Sequence, residues 1–228
     1  MSTFWFAVLS ILCLIPAIVC HEVAHGYVAY RLGDPTAKSR GRLSLNPIKH
    51  VDPFGTIILP VALMLFNLPA FGWAKPVPIN PRYFKDYRKG MLLTGLAGPG
   101  VNLLFVLLGA AAARALNLFG AVLGSAAAPL VPVMNVAWYA AFIFTYINLV
   151  LMFFNLIPIP PLDGSRVLPI FLSDSALAKY HQFEQYGIMA FFLVLMVLPR
   201  LLSFSPVDAY FSVTVYPILQ FLTGVSLG

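Results

Sequence analysis

The chain has 228 residues, 60% of them hydrophobic and only 10% charged, with a formal net charge of +6 and a mean hydropathy of +0.87. So few charges cannot cover so much apolar surface in water, which excludes an ordinary soluble domain and makes lipid the expected solvent. The positive balance suits a membrane protein whose cytoplasmic loops collect Lys and Arg, and no basic module interleaved with aromatics points to nucleic acid.

The first apolar run predicts a helix from about Thr3 to Leu32, closed by Gly33, Asp34 and Pro35. It has no basic leader and no small-residue cleavage site, so it reads as a retained span. Cys13 and Cys20 both lie in it, which argues against a disulfide framework and suits small apolar filler. Residues 36–53 turn polar and basic, and the alternation in Gly41-Arg-Leu-Ser-Leu-Asn46 predicts a short strand. Residues 54–71 are apolar again but interrupted by Gly55, Pro60 and Pro69, and a second basic stretch fills 72–89. Further spans are expected over about 91–116, 133–156 and 187–202. A mixed, interfacial segment covers 159–184, and a last apolar run over 207–227 carries Asp208 and Pro217. The expected fold is an all-α polytopic membrane protein of about five to six membrane segments. It includes a re-entrant hairpin at 54–71 and a small β element after the first helix. One domain is expected over 1–228, its catalytic core at about 1–165 and its C-terminal membrane segments at about 186–228.

Charge sets the expected topology. Residues 31–49 and 75–89 hold five Lys or Arg each, which places both stretches in the cytoplasm. The apolar run between them should therefore enter and return on one side, shielded by protein. By this count the N-terminus lies outside, and the end of the first helix and the end of the 133–156 helix reach the cytoplasmic side together.

His21, Glu22 and His25 form an H-E-x-x-H motif inside the first apolar helix. Imidazoles four residues apart share a helix face and can grip one divalent ion, with the intervening glutamate as general base. Titratable groups in hydrocarbon are costly, so their presence there reads as functional. A catalytic zinc site usually has three protein ligands and a water. Asp163, in Asn155-Leu-Ile-Pro-Ile-Pro-Pro-Leu-Asp-Gly164, is the acid that follows a membrane helix among prolines, and it completes a His₂Asp set. Glu22 would take a proton from water and later deliver it to the leaving amine. Asn155 and Asn102 are candidate donors to the oxyanion. His50, two residues before Asp52, is a candidate for substrate contact or for a place beside the metal, or else a loop histidine. His181, beside Glu184, reads as a solvated interface residue.

His21 to His25 on a membrane helix, followed by Asn155-x-x-Pro158-x-Pro160-x-Leu162-Asp163-Gly164, resembles the site-2 protease family of intramembrane zinc metalloproteases. Residues 46–56 and 72–81 resemble its compact bacterial and archaeal branch without a PDZ domain. The resemblance covers roughly residues 15–200. It implies one Zn²⁺ per chain on His21, His25 and Asp163, with Glu22 as base. It also implies cleavage of transmembrane protein substrates in a prokaryotic plasma membrane, with the active site near the cytoplasmic side. Residues alone leave two alternatives, a polytopic metal-ion transporter and a catalytically silent scaffold. The lack of repeat symmetry weighs against the first and the intact Glu22 against the second. The oligomeric state stays open, a homo-oligomer among the options.

Overall fold

The computed structural model describes residues 3–65, 72–202 and 204–225. Helix α1 (Thr3–Arg31) buries Cys13, Ala17, His21, His25 and Ala29, one residue in every four along a single stripe. Phe4, Trp5, Ile11 and Leu12 stand exposed, as lipid-facing side chains do. The stripe consists of small residues and two imidazoles, so other chain can approach it closely. Gly33 adopts a left-handed φ of 106° just past the helix, a conformation open to glycine at little cost. Asp34 then fixes the turn from a fully buried position. Its Oδ1 accepts from the backbone N–H and the hydroxyl of Thr36, and its Oδ2 accepts from Asn80 N at 2.6 Å.

The four-residue helix α2 (Thr36–Ser39) and apolar helix α3 (Leu59–Leu65) precede a long helix α4 (Tyr87–Leu123). Its buried face runs through Thr94, Gly98, Asn102, Val106, Ala110 and Ala113, again at close to helical period. Pro99 lies inside α4 and lacks the N–H that the Gly95 carbonyl would otherwise accept. Helix α5 (Val131–Asn155) follows. Then come α6 (Asp174–Glu184), α7 (Gly187–Phe192), α8 (Leu198–Leu202), α9 (Pro206–Val213) and α10 (Val215–Thr223).

Among the described residues, three helical stretches are long and apolar enough to cross a bilayer, Phe4–Arg31, Tyr87–Leu123 and Ala128–Asn155. A fourth is reached only if Asp174–Glu184 and Met189–Leu201, bent by 65°, count as one span. The five or six segments expected from sequence are not reached by this measure. The 207–227 run breaks at Thr214 into helices of eight and nine residues, well short of the ~20 that a span needs. Of the expected re-entrant hairpin, residues 54–65 are helical, and 66–71 lie outside the described residues.

The expected β element is absent. Among the described residues there is no strand, and 41–46 form a turn and irregular chain. A strand needs a backbone ladder, and here the neighbouring segment is held by a side chain. Buried Arg42 donates through Nη2 to the Lys75 carbonyl at 2.6 Å, while Leu45 is exposed. At Arg42 and Leu45 burial thus runs against the alternation, while Leu43 and Ser44 are both half-buried.

Contacts divide the chain into two units. One comprises Met1–Ala17, Gly100–Phe154 and Val207–Gly228; the other comprises Ile18–Pro99 and Asn155–Pro206. In the first, Asn102 Nδ2 donates to Asn148 Oδ1 at 2.8 Å, both residues fully buried, and Asn148 Nδ2 donates to the Phe144 carbonyl. Arg114 closes the C-terminal end of α10 by donating to the Phe221 and Leu222 carbonyls at 2.6 and 2.8 Å. Those orphan carbonyls and the negative end of the helix dipole favour a cation there. In the second unit, Arg88 at the start of α4 donates to the Leu172 carbonyl and pairs with Asp174 at 2.7 Å, tying α6 to α4.

Candidate metal centre

Three chain segments of the second unit meet around one small volume. The last turns of α1 supply His21 and His25, four residues apart, so that both rings project from one face. The turn after α5 supplies Asp163, the first residue of a short 3₁₀ helix (Asp163–Arg166). Gly164 lets this turn fold back on the end of α5, because a Cβ there would collide with the Leu156 carbonyl. The first turns of α4 supply the floor.

His21 Nε2, His25 Nε2 and Asp163 Oδ2 form a triangle with each separation 3.0 Å. All three residues are buried and form a group that could hold a metal ion. The second nitrogen of His25, Nδ1, lies 2.6 Å from the Thr94 carbonyl. A carbonyl only accepts, so Nδ1 carries the proton, and in the neutral ring Nε2 presents its lone pair to the triangle. The two Nε2 atoms and the carboxylate oxygen thus converge as a donor set that suits a cation between them. Tetrahedral zinc, with bonds of about 2.0–2.2 Å, sets its donors about 3.3–3.6 Å apart, a few tenths of an ångström beyond the 3.0 Å found.

Gly98 keeps that volume open. A Cβ at this position would fall against the Nε2 atoms of both histidines. Asp163 is divided between two tasks. Its Oδ2 faces the imidazoles, while its Oδ1 lies 3.4 Å from Arg166 Nη1. Burial alone would raise the Asp163 carboxyl. Pairing with the His21 and His25 rings and the nearby Arg166 charge outweigh it, holding the group well below the usual carboxylate range. A carboxylate beside two imidazoles is a donor set that zinc accepts.

Glu22, between the two histidines in sequence, is half-buried, and its Oε2 accepts from the Val77 backbone N–H at 2.9 Å. His50 is buried in the same unit. Its Nε2 donates to the Ser44 carbonyl at 2.7 Å and its backbone carbonyl accepts from Lys75 N, while Nδ1 has no hydrogen-bond partner. It thus braces the loop between α2 and α3. Asn155 closes α5, eight residues before Asp163. Asn102 lies in the other unit, where its amide is engaged with Asn148. His181 is exposed, between Glu184 and Tyr87.

Four contributors to this geometry escaped the sequence reading. Thr94 and Val77 act through backbone atoms, which carry no side-chain signal. Gly98 stands in a glycine-rich stretch legible only as a place of close approach. Arg166 had a signal available, a cation three residues after a candidate carboxylate on one turn.

Residues 126–198 match the model of the peptidase family M50. A Bacillus subtilis protein named "Putative zinc metalloprotease YwhC" is 42% identical over 189 residues, which cover 83% of this chain and 80% of that protein. The chain belongs to the site-2 protease (M50) family. "Putative zinc metalloprotease Rip2" of Mycobacterium tuberculosis is 31% identical over 216 residues, 92% of this chain and 72% of its own length. Its namesake from Mycolicibacterium smegmatis is 27% identical over 185 residues, 81% of this chain and 65% of its own. No solved structure matches the chain. Family M50 membership, the zinc metalloprotease names and the three apolar helices agree on a membrane metalloprotease that uses zinc.

Proposed function

We propose that this chain is an intramembrane zinc endopeptidase that hydrolyses peptide bonds within or near the transmembrane segments of other membrane proteins. The observation that carries the reading is the 3.0 Å triangle of His21, His25 and Asp163 with Glu22 beside it on a helix long and apolar enough to span. In this reading the three donors hold one zinc ion per chain. When bound, zinc supplies Lewis acidity, acidifying water and polarising a carbonyl.

The chain's own groups do the rest. Thr94 fixes the His25 ring through Nδ1, and Arg166 holds the second oxygen of Asp163, so both ligands are oriented in advance. Glu22 accepts a proton from the attacking water and passes it to the departing amine nitrogen. The side-chain amide of Asn155, at the end of the helix that leads to Asp163, is the proposed donor to the oxyanion. The two basic stretches support a site near the cytoplasmic face of a prokaryotic plasma membrane. A transmembrane helix must unwind before its backbone can reach Glu22, so segments with weak helical propensity are the expected substrates.

The test uses the full chain, zinc-loaded in liposomes, with a panel of tagged single-span membrane proteins. Glu22→Gln should retain zinc and lose cleavage by about 10²–10⁴-fold. Chelation should abolish cleavage and added zinc restore it. Full activity in Glu22→Gln, or activity indifferent to the chelator, would remove this mechanism.

A further inference from the structure

Residues 72–80 cross the second unit without helix or strand, and single backbone groups tether them along their length. Trp73 N donates to the Gly55 carbonyl at 3.2 Å, Lys75 N to His50 at 2.8 Å, and Asn80 N to Asp34 Oδ2 at 2.6 Å. Between these anchors lies Pro76-Val77-Pro78. The two prolines have no N–H, so Val77 carries the sole backbone donor of the three. That donor goes to Glu22 Oε2 at 2.9 Å.

The side chain of Val77 is pinned as well. It is 5% exposed and lies over Gly26, where a Cβ would stand 2.6 Å from Val77 Cγ1. Gly26 is four residues after Glu22, on the same face of α1. One residue is thus seated twice on adjacent turns of α1, by its side chain at Gly26 and by its N–H at Glu22. The tethers on either side give it little room to move.

We propose that the Val77 backbone N–H is a positioning group for Glu22, holding one carboxylate oxygen so that the other, Oε1, is presented to the reacting water. The proposal rests on the protease reading and deepens it. An unrestrained glutamate samples several rotamers, and misplacing a base by about 1 Å costs up to ~10²-fold in rate. A charge-assisted N–H to carboxylate bond is strong enough to select one of them. The flanking prolines stiffen the donor, and their lack of N–H leaves no competing donor within the tripeptide.

Val77→Pro removes the N–H in a stretch that is neither helix nor strand and already holds two prolines, whereas Val77→Ala keeps it and trims only the side chain. In the zinc-loaded full chain, with a reporter that the wild type cleaves, Val77→Pro should lower kcat by about 10–100-fold. KM and bound zinc should stay within about twofold of wild type, and Val77→Ala, which keeps the N–H and loses only the seat at Gly26, should lose clearly less kcat than Val77→Pro. A second measurement is independent of activity and of how well Val77→Pro folds. Hydrogen exchange at Val77, the sole exchangeable backbone amide in 76–78, should quicken about tenfold or more in Glu22→Ala, which retains the histidines and Asp163. Equal kcat in Val77→Pro and Val77→Ala, or an unchanged exchange rate in Glu22→Ala, overturns the proposal. Failure of the wild-type chain to cut any reporter counts instead against the protease reading.

Discussion

Gly98 governs how much space the two imidazoles share. Its missing side chain is where a methyl group would press on both Nε2 atoms, and buried rings held at Thr94 and Asp163 have little freedom to retreat. Gly98→Ala should therefore weaken zinc binding about 10–100-fold, the scale of losing an outer-shell partner, as read by competition with a chromogenic chelator. Unchanged affinity would show that the rings give way. At this scale the sequence was most legible where chemistry sits on side chains. His21, Glu22 and His25 declare themselves by helical spacing, and Asp163 by being an acid among prolines at a helix end. Asn102 is ambiguous for a physical reason: a buried amide beside glycines reads equally well as a catalytic donor or as a link between helices, and its side chain donates to Asn148.

That link is the chief polar contact described between α4 and α5, and it belongs to the element scale. Hydrogen bonds across membrane helices contribute modestly, because an unfolded chain in lipid also finds partners. Replacing Asn148 by Leu removes this link and should cost about 1 kcal/mol, measured by reversible denaturation in mixed micelles. A loss several times larger would mean that the pair also organises its surroundings. Long helices were readable in advance because a bilayer demands about 20 apolar residues in a row. The strand expected at 41–46 was not, since alternation says which faces differ and nothing about where a pairing partner lies. Here Arg42 took the inward position and Leu45 the outward one.

For the whole molecule, the basic stretches make a topological prediction. Single cysteines introduced at the exposed positions Arg40 and Lys85, in a chain whose own Cys13 and Cys20 are replaced by serine, should react with an impermeant maleimide from the same side of the membrane. Labelling from opposite sides would make the intervening apolar run a true crossing. The number of crossings was the least legible feature. Thr214 divides an apolar stretch that composition alone would count as continuous.

The two units also draw on the chain in different orders. The one with His21 and Asp163 uses residues 18–99 and 155–206, whereas the other needs residues 207–228 as well. A polypeptide leaving the ribosome has therefore produced every group of the first before Arg114 can meet the Phe221 and Leu222 carbonyls. Synthesis delivers His21, His25 and Asp163 before the Arg114 contact can form, so a nascent protein arrested near residue 206 already contains all three.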